Sequence, residues 1–510
     1  MTTRTLALGM LVALATPAVA QPADPYADPS PPPAKKDAPA KKDAPAKKDA
    51  PATKEAPANK DPGPPPPKDL GPPPPKDLGP PPAKKDTGAP PPKDIGPPPP
   101  KDITLPKDQP RNPGIPSRVG VTDVAAVQGL LAVQRLDGWL LFDRDGENPI
   151  AVRVVAPAGH PTRPWYYLIP AEGDPIALVH SSEQRSFDHL PGKRLTYANY
   201  RDLDKQLKVL LAKMKSVAVE YSPKGTIPGI SRVDAGTLEG IRAAGVNVRS
   251  SETLVQYTKA IWGDAGRTAH YVAVHHIVEL RKEALAYVAK QLQAGAAVSE
   301  YDVQQRLAQG MTMRGLVGAP PVVAAGVNTA DPYYVPTADK TAPIKRGDLL
   351  VISLAGKVDK PDGIFAAQTW CAVADKVVPG DIQRVWETIV QARDGAVTLI
   401  ADRMKKNRPI TGAEIDDSAR AVAKRAGLAD RVMHRTGHSI DTDLQGGGAD
   451  LDNFEVKDSR ILTPGTGFTI GPGLYFPGQY GVRTEVSVYL APAGPEVTTP
   501  GQTAIETLLK

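Results

Sequence analysis

The fold of this chain is decided by five segments in its C-terminal half: Gly347-Asp348-Leu349-Leu350-Val351-Ile352-Ser353-Leu354, Phe365-Ala366-Ala367-Gln368-Thr369-Trp370, His434-Arg435-Thr436-Gly437-His438-Ser439-Ile440, Phe468-Thr469-Ile470-Gly471-Pro472-Gly473-Leu474-Tyr475 and Gly481-Val482-Arg483-Thr484-Glu485. Their apolar and β-branched runs predict strands, and the glycines and prolines between those runs predict turns.

These five segments resemble those of the Xaa-Pro peptidase (aminopeptidase P) and creatinase superfamily of metallopeptidases. The resemblance implies an α/β (α+β) chain, in which a creatinase-like N-terminal α/β domain precedes a C-terminal domain with the pita-bread fold. It also implies a catalytic centre with two divalent metals such as Mn, Co or Zn. In the superfamily these metals are held by two aspartates, one histidine and two glutamates, one ligand from each segment.

Three of the five ligand positions that the resemblance identifies have lost their metal-binding side chain. Ser353 and Gln368 stand at the two aspartate positions, Gly471 stands at the first glutamate position, and only His438 and Glu485 remain. A catalytic zinc-type site needs about three protein ligands, and a two-metal centre needs carboxylates that clamp both ions. The sequence therefore predicts no complete metal site and no cofactor.

The resemblance also identifies four candidate pocket residues. Tyr333 and Gln445 stand where the superfamily commonly has substrate-contacting histidines, and His434 and Arg483 belong to the pocket segments. The loss of three carboxylates relieves a charge repulsion that only metal cations make tolerable. We therefore expect the remaining glutamate, Glu485, to pair with Arg483 or with the remaining histidine ligand, and we expect the fold to persist without metal.

One alternative stays open, in which another carboxylate replaces the lost ligands. The candidates in the neighbouring sequence are Asp348, Asp359, Asp362 and Asp441. Asp348 stands at the start of the predicted strand, well before the expected ligand position. The next two aspartates lie in the predicted hairpin turn. Asp441 follows the remaining histidine closely but occupies a position where the superfamily has glycine.

The first 20 residues have the order of a secretory signal peptide. Arg4 precedes an apolar run from Leu6 to Ala15, and Ala18-Val19-Ala20 supplies a small-residue cleavage site. The run is shorter than the about 20 residues that span a bilayer. We expect cleavage after Ala20 and a periplasmic or secreted protein. The single cysteine, Cys371, excludes a disulfide framework and is predicted to be a buried packing residue.

Residues 21–113 form a proline-rich arm. The arm contains 32 of the 57 prolines and repeats the motifs Ala-Lys-Lys-Asp-Ala-Pro and Gly-Pro-Pro-Pro-Pro-Lys-Asp. A segment with so few apolar residues builds no core, so we expect a disordered spacer rich in polyproline II. Contact with the cell wall or envelope is the functional alternative to a plain spacer. The sequence shows no surface that combines aromatic and basic residues, so we expect no nucleic-acid partner.

Residues 114–510 are too many for one core and predict two domains. From 114 to 258 apolar strands, such as Ile176–His180, alternate with amphipathic helices, which is typical of an α/β domain. The range 259–510 is predicted to be the pita-bread domain.

The first helix of that second domain carries three histidines, His270, His275 and His276. Their spacings do not place them on one helix face, as a metal-binding pair would require. They are predicted to be surface or interface residues.

Three functions compete. The leading hypothesis is an exported pseudoenzyme that acts as a binding or scaffold module. The first alternative is a metal-dependent Xaa-Pro aminopeptidase or dipeptidase, which the missing ligands disfavour. The second is metal-independent hydrolysis in the manner of creatinase, whose catalytic histidine falls at about Tyr333, although tyrosine is a poor general base at neutral pH. The expected partners are a proline-containing peptide and a second copy of the chain in a homodimer.

Overall fold

The structure is a computed structural model, and it describes residues 120–509. The interpretations of residues 1–20 as a signal peptide and of residues 21–113 as a disordered arm lie outside the described residues. Within the described range the chain is a mixed α/β protein, so the predicted fold class is confirmed.

The first part of the described chain forms a six-stranded sheet with helices packed against it. Its helices are α1 (Val124–Gln134), α2 (Pro149–Val155), α3 (Tyr200–Leu211), α4 (Ala235–Ala243) and α5 (Glu252–Val255). Its strands are β1 (Gly138–Asp143), β2 (Trp165–Pro170), β3 (Ile176–His180), β4 (Lys193–Tyr197), β5 (Ser216–Val219) and β6 (Asn247–Ser250). The order in the sheet is β4-β3-β2-β1-β5-β6, with β1 antiparallel to β2 and parallel to β5.

Strand β1 lies inside this sheet and is buried on both faces. Trp139 and Leu141 belong to the core on one side of the sheet, whereas Leu140 and Phe142 belong to the core on the other side. A strand that is covered on both faces has a continuous apolar run instead of an alternating pattern. That run made β1 recognisable in the sequence.

The buried carboxyl of Glu220 follows β5 and gives this unit a pH-dependent stability. Trp139 Nε1 donates to one of its oxygens at 2.8 Å and Asn148 Nδ2 donates to the other at 3.1 Å. Burial raises the pKa of Glu220 to about 7, against the lowering effect of these hydrogen bonds.

We expect the variant Glu220→Gln to lose part of the pH dependence of unfolding. Because the folded-state pKa lies above the unfolded value, the native protein binds the extra proton, and this contribution is lost as the pH rises from about 4.5 to about 7. Urea midpoints of the wild type should therefore fall, relative to those of Glu220→Gln, between pH 5 and pH 8. Parallel midpoints for the two proteins across this range would contradict the prediction.

The second part of the described chain follows a π-helical turn at Gln256–Ala260. Its helices are α6 (Asp264–Ala294), α7 (Glu300–Met313), α8 (Gly380–Lys405) and α9 (Gly412–Arg425). Its strands are β7 (Leu316–Gly318), β8 (Val322–Ala325), β9 (Leu349–Val358), β10 (Ala366–Val373), β11 (Ser439–Ile440), β12 (Gly467–Ile470), β13 (Gly473–Phe476), β14 (Tyr480–Arg483), β15 (Val486–Ala491), β16 (Gly494–Val497) and β17 (Glu506–Thr507). None of the helices between residues 120 and 509 is long and apolar enough to cross a bilayer.

These strands form three sheets. The first has the order β17-β10-β9-β7, with β8 also paired to β9; the second has the order β11-β12-β15-β16; the third is the hairpin β13-β14. Strand β9 alternates between two cores, because Leu350, Ile352 and Leu354 pack in the core with α6, whereas Leu349 and Val351 pack in the core with α8. Side chains at odd-numbered positions of β9 and β10 therefore share one face of the sheet.

Two of the three histidines of α6 are buried, contrary to their prediction as surface or interface residues. His270 is fully covered, its Nδ1 lies 2.8 Å from the carbonyl oxygen of Phe365, and its Nε2 lies 2.8 Å from Thr498 Oγ1. His276 is buried as well. Spacing along one helix could not reveal that Phe365 and Thr498, both distant in sequence, cover the ring of His270.

Candidate functional site

Strands β9 and β10 bring two hydroxyl side chains face to face. The antiparallel register pairs Ser353 directly with Thr369, and their hydroxyl oxygens lie 2.9 Å apart. Thr369 Oγ1 also lies 2.8 Å from Glu485 Oε2. A hydroxyl carries a single proton, so Thr369 donates to the carboxylate and accepts from Ser353.

Gln368 does not face this site, and its assignment to a ligand position is corrected. It accepts a hydrogen bond from Arg281 Nη1 at 2.8 Å and donates one to the carbonyl oxygen of Pro500 at 2.7 Å. Successive residues of a strand point to opposite faces, and Gln368 shares the α6 face with Trp370. Thr369 is therefore the residue of β10 at the site, a role that the sequence interpretation missed.

Glu485 is the carboxylate at the centre of the site. The backbones of Glu485 and Thr369 form a bridge between β10 and the end of β14, and Arg483 Nη2 donates to Glu485 Oε1 at 3.2 Å. Burial raises the pKa of Glu485, but Arg483, His438 and the hydroxyl of Thr369 together lower it further, so the net pKa lies below the usual range. Glu485 is thus an ionised carboxylate that accepts hydrogen bonds on both oxygens.

Gly471 lies against this carboxylate. A Cβ at position 471 would stand 3.0 Å from Glu485 Cγ and 3.2 Å from Glu485 Oε1, so a side chain there would point toward Glu485. The φ angle of Gly471 lies outside the left-handed region, and the backbone therefore accepts residues other than glycine. A glutamate at this position would place its carboxylate in the same group.

His438 directly precedes strand β11, and a hydrogen bond of its Nδ1 fixes the tautomer of the ring. Its Nδ1 lies 3.1 Å from the carbonyl oxygen of Ser439, so this nitrogen donates and Nε2 carries the lone pair. Burial lowers the pKa of His438, against the raising effects of Glu485 and Asp450. The ring is therefore neutral at pH 7.

His434 lies in the same cleft but has a structural environment. Its Nδ1 donates to the carbonyl oxygen of Arg435 at 2.7 Å, and its Nε2 lies 2.8 Å from the hydroxyl of Tyr475. Burial, and after it the charge of Arg483, lower the pKa of His434 to about 4. Both ring nitrogens have protein partners.

The candidate cleft has a volume of about 200 Å³. Its lining includes Pro332, Tyr333, His434, Arg435, His438, Gln445, Glu455, Thr469, Gly471 and Arg483. The Tyr333 side chain stands at the rim and is 72% exposed, while Gln445 accepts a hydrogen bond from Arg435 Nη2 at 2.6 Å. The structure thus brings together all the predicted pocket residues in one cleft, with Gln368 outside it.

Hydrogen bonds to Glu300 fix the loop that contains Tyr333. Glu300 is another residue that sequence reasoning missed. Glu300 is completely buried at the start of α7. Its carboxylate accepts from the backbone N–H groups of Ala325 and Ala342 and from the side chains of Asn328 and Tyr334. The backbone of the loop that bears the exposed Tyr333 is therefore held in a fixed position.

The alternative carboxylates are engaged elsewhere. Lys259 Nζ lies 2.9 Å from both oxygens of Asp441, and Asp348 accepts from the backbone N–H of Lys345. Asp359 and Asp362 lie between β9 and β10, in the hairpin connection. None of these four side chains replaces a lost ligand at Glu485 in the structure between residues 120 and 509.

Comparisons with known proteins agree on one family. Residues 273–492 match metallopeptidase family M24. A probable dipeptidase PepE of Mycobacterium tuberculosis is 28% identical over 174 residues, which cover 34% of this chain and 42% of that protein. An Xaa-Pro dipeptidase of Pyrococcus furiosus is 29% identical over 174 residues, which cover 34% of this chain and 45% of that protein. The matched segment is thus less than half the length of these curated relatives.

Solved structures share the fold over a longer range. Dipeptidase PepE from Mycobacterium ulcerans matches with a TM-score of 0.60 and 20% identity, covering 76% of this chain and 97% of that chain. Prolidase from Pyrococcus furiosus matches with a TM-score of 0.51 and 17% identity, covering 74% of this chain and 99% of that chain. The predicted pita-bread architecture is confirmed by these matches.

The prediction that the protein has no cofactor is contradicted by these relatives. The matching family is one of metallopeptidases, and the similar proteins include an Xaa-Pro dipeptidase and a prolidase. The lost ligand positions alone do not make the protein cofactor-free.

The side chains at those positions nevertheless do not fit a two-metal centre. His438 and Glu485 are the metal-binding side chains present there, and residues 120–509 contain no group of three or more His, Cys, Asp or Glu that could hold a metal ion. A catalytic metal site uses about three protein ligands even for one ion, and a two-metal centre has to hold a pair of ions.

Proposed function

We propose that this chain is a pseudoenzyme. The premise is that it belongs, through its M24 metallopeptidase domain, to the pita-bread superfamily of Xaa-Pro peptidases and creatinase. It binds proline-containing peptides and does not hydrolyse them. The observation that carries the proposal is the hydrogen-bonded chain from Ser353 through Thr369 and Glu485 to Arg483. These hydrogen bonds stand where the superfamily has the carboxylates that this protein lacks.

The two groups that could act as a base in peptide hydrolysis, Glu485 and His438, are both weakened, because their pKa values lie below the usual range. A general base must be free to accept a proton from water. Glu485 already accepts from Thr369 on one oxygen and from Arg483 on the other. His438 has a lowered pKa because of its burial, and this makes it a weak base.

Peptide binding is supported by the cleft that remains. Pro332 and Tyr333 form its rim, and most of the Tyr333 ring is exposed. Aromatic-lined grooves bind proline-rich segments, whose extended conformation costs little entropy on docking. The similar proteins whose names specify Xaa-Pro substrates point to the same ligand class.

The proposal includes export and pairing. The apolar run after Arg4 and the small residues before Gln21 support cleavage by a signal peptidase. A binding module on a proline-rich arm, paired as a homodimer, would present two clefts to the cell envelope.

The proposal is tested by measuring binding and turnover on the same protein. We expect the mature chain to bind an Xaa-Pro peptide in calorimetry and to release no product from it, with Mn²⁺, Co²⁺ or Zn²⁺ supplied. The matched control is His438→Ala, which should show the same background of product as the wild type.

The second candidate function is metal-dependent Xaa-Pro cleavage, and the presence of His438 with a free Nε2 beside Glu485 favours it. Turnover that depends on added metal and disappears in His438→Ala would establish this alternative and contradict the pseudoenzyme.

A further inference from the structure

Arg483 presents hydrogen-bond donors to the candidate cleft that the protein itself does not use. The residue lines the cleft, and 26% of its side chain is exposed. A guanidinium carries five N–H donors, and Nη2 uses one of them on Glu485 Oε1. Nη1 has no hydrogen-bond partner among residues 120–509, and it keeps accessible surface. Its two N–H groups are therefore available to a ligand.

Gln445 adds a second pair of donors. Its Oε1 accepts from Arg435 Nη2 at 2.6 Å. Because arginine only donates, the atom that faces it has to be the oxygen, and this contact settles which way the amide points. The NH₂ group has no partner in the part of the chain that the structure describes, and the exposed side chain lines the cleft. Both of its N–H groups remain for a ligand.

Unused acceptors are scarcer among the side chains of the cleft. Both ring nitrogens of His434 have protein partners, and His438 contributes the lone pair of Nε2. Glu485, behind Arg483, already accepts on both oxygens. The carboxylate of Glu455 lies at an exposed position, where water hydrates it. The cleft is thus better supplied with available donors than with available acceptors.

A run of consecutive prolines has the complementary chemistry. Proline lacks the backbone N–H, so such a run offers carbonyl oxygens and no donors. Its polyproline II helix has no internal hydrogen bonds, and water hydrates every carbonyl. Docking removes that water, and a buried carbonyl without a donor costs free energy. A peptide of ordinary residues has to satisfy its N–H groups as well, for which the cleft has few acceptors.

We propose that the cleft selects consecutive prolines, and that Arg483 and Gln445 donate to their carbonyl oxygens. This inference rests on the proposed peptide binding, and it names the ligand class as polyproline instead of a single Xaa-Pro bond. Pro332 and Tyr333 at the rim would contact the proline rings. The two donor residues act in binding, and no bond of the peptide is cleaved.

Two capped peptides measure this selectivity. N-acetyl-Pro-Pro-Pro-Pro-amide and N-acetyl-Ala-Pro-Ala-Pro-amide have the same length and caps, and the second adds two backbone N–H groups. Calorimetric titration of the mature chain should give about 10-fold tighter binding of the tetraproline. Any competition by the proline runs of residues 21–113 lowers both apparent affinities by the same factor, so the ratio of the two affinities is the quantity to compare.

Gln445→Glu tests the donors directly. The glutamate keeps an acceptor for Arg435 and replaces the NH₂ group by an oxygen, which repels a carbonyl. Tetraproline should bind about 10-fold more weakly, and N-acetyl-Ala-Pro-Ala-Pro-amide should keep its affinity within about 2-fold, which reports an intact cleft. The matched control Gln479→Glu adds the same charge at an exposed turn outside the cleft lining, and it should leave the preference unchanged.

Arg483→Lys is the second variant. Lysine keeps a cation beside Glu485 but replaces the planar fork of donors by one ammonium group. Tetraproline should bind about 5-fold more weakly than to the wild type, and N-acetyl-Ala-Pro-Ala-Pro-amide should lose less.

The outcomes separate the two proposals. Equal affinity of the wild type for both peptides overturns the selection of consecutive prolines and leaves the peptide-binding function standing. A preference that persists in both Gln445→Glu and Arg483→Lys also overturns it, because the stiffness of polyproline alone then accounts for the preference. Binding of neither peptide overturns both proposals.

Discussion

The triple variant Ser353→Asp, Thr369→Asp, Gly471→Glu should bind Mn²⁺ on the order of 100-fold more tightly than the wild type, because it completes a two-metal ligand set around His438 and Glu485. Ser353 and Thr369 are directly opposite across β9 and β10, so two carboxylates there would face each other. A glutamate at 471 would extend toward Glu485. Calorimetric titration of both proteins with MnCl₂ measures the difference.

The matched control replaces Gln368 instead of Thr369. In Ser353→Asp, Gln368→Asp, Gly471→Glu the second aspartate would lie on the α6 face beside Arg281, where it cannot reach the site. Its affinity for Mn²⁺ should remain well below that of the Thr369 variant. Equal gains in the two triple variants would show that the register of β10 is not the one described.

Steric strain is the main risk of this design, and it can be measured separately. The new Cβ at 471 would stand 3.0 Å from Glu485 Cγ, closer than ordinary van der Waals contact, so Glu485 must shift by a few tenths of an ångström. Single variants at each of the three positions, compared by thermal unfolding, identify any position at which the fold is lost.

The difference between Gln368 and Thr369 shows the limit of sequence reasoning here. The apolar pattern of β9 was enough to locate Ser353 at the site. The short motifs around His438 and Glu485 located those two residues. Which side chains of β10 face the site could not be predicted from the sequence. The connection between β9 and β10 sets the register of the two strands, and no local sequence signal gives the length of that connection. A slip of one residue exchanges the two faces of a strand.

A second cavity, of about 380 Å³, shares Gln445 and Glu455 with the candidate cleft, and it lay beyond sequence reasoning for a different reason. Its wall follows β11 as an irregular loop that contains Asp450, Asp452 and Glu455. A loop has no period from which a shared face could be predicted. Its opposite wall is more than 200 positions earlier in the chain, at Ile227 and Ile230, and only the folded structure brings the two together.

A buried ion pair joins the π-helical turn before α6 to the loop that follows β11. Lys259 lies in the π-helical turn before α6, and its side chain is 5% exposed. Its Nζ contacts both oxygens of Asp441, which also accept from the backbone N–H groups of Asp443 and Gly447. Burial lowers the pKa of Lys259, but the two aspartates raise it further, so the net pKa lies above its usual value.

Asp441→Ala should lower the free energy of unfolding by about 3 kcal/mol, because it leaves a buried ammonium with only the exposed Asp443 as a partner. Lys259→Met should lower it by a comparable amount, since the buried carboxylate then loses its cation. The double variant Lys259→Met, Asp441→Ala removes both charges and should lose clearly less than the sum of the two single losses. Urea unfolding of the four proteins gives this coupling, and losses that simply add would mean that the pair contributes nothing beyond its separate hydrogen bonds. Because the loop fixed by Asp441 also carries Gln445 into the cleft, Asp441→Ala should weaken peptide binding as well, and the double variant should recover part of it.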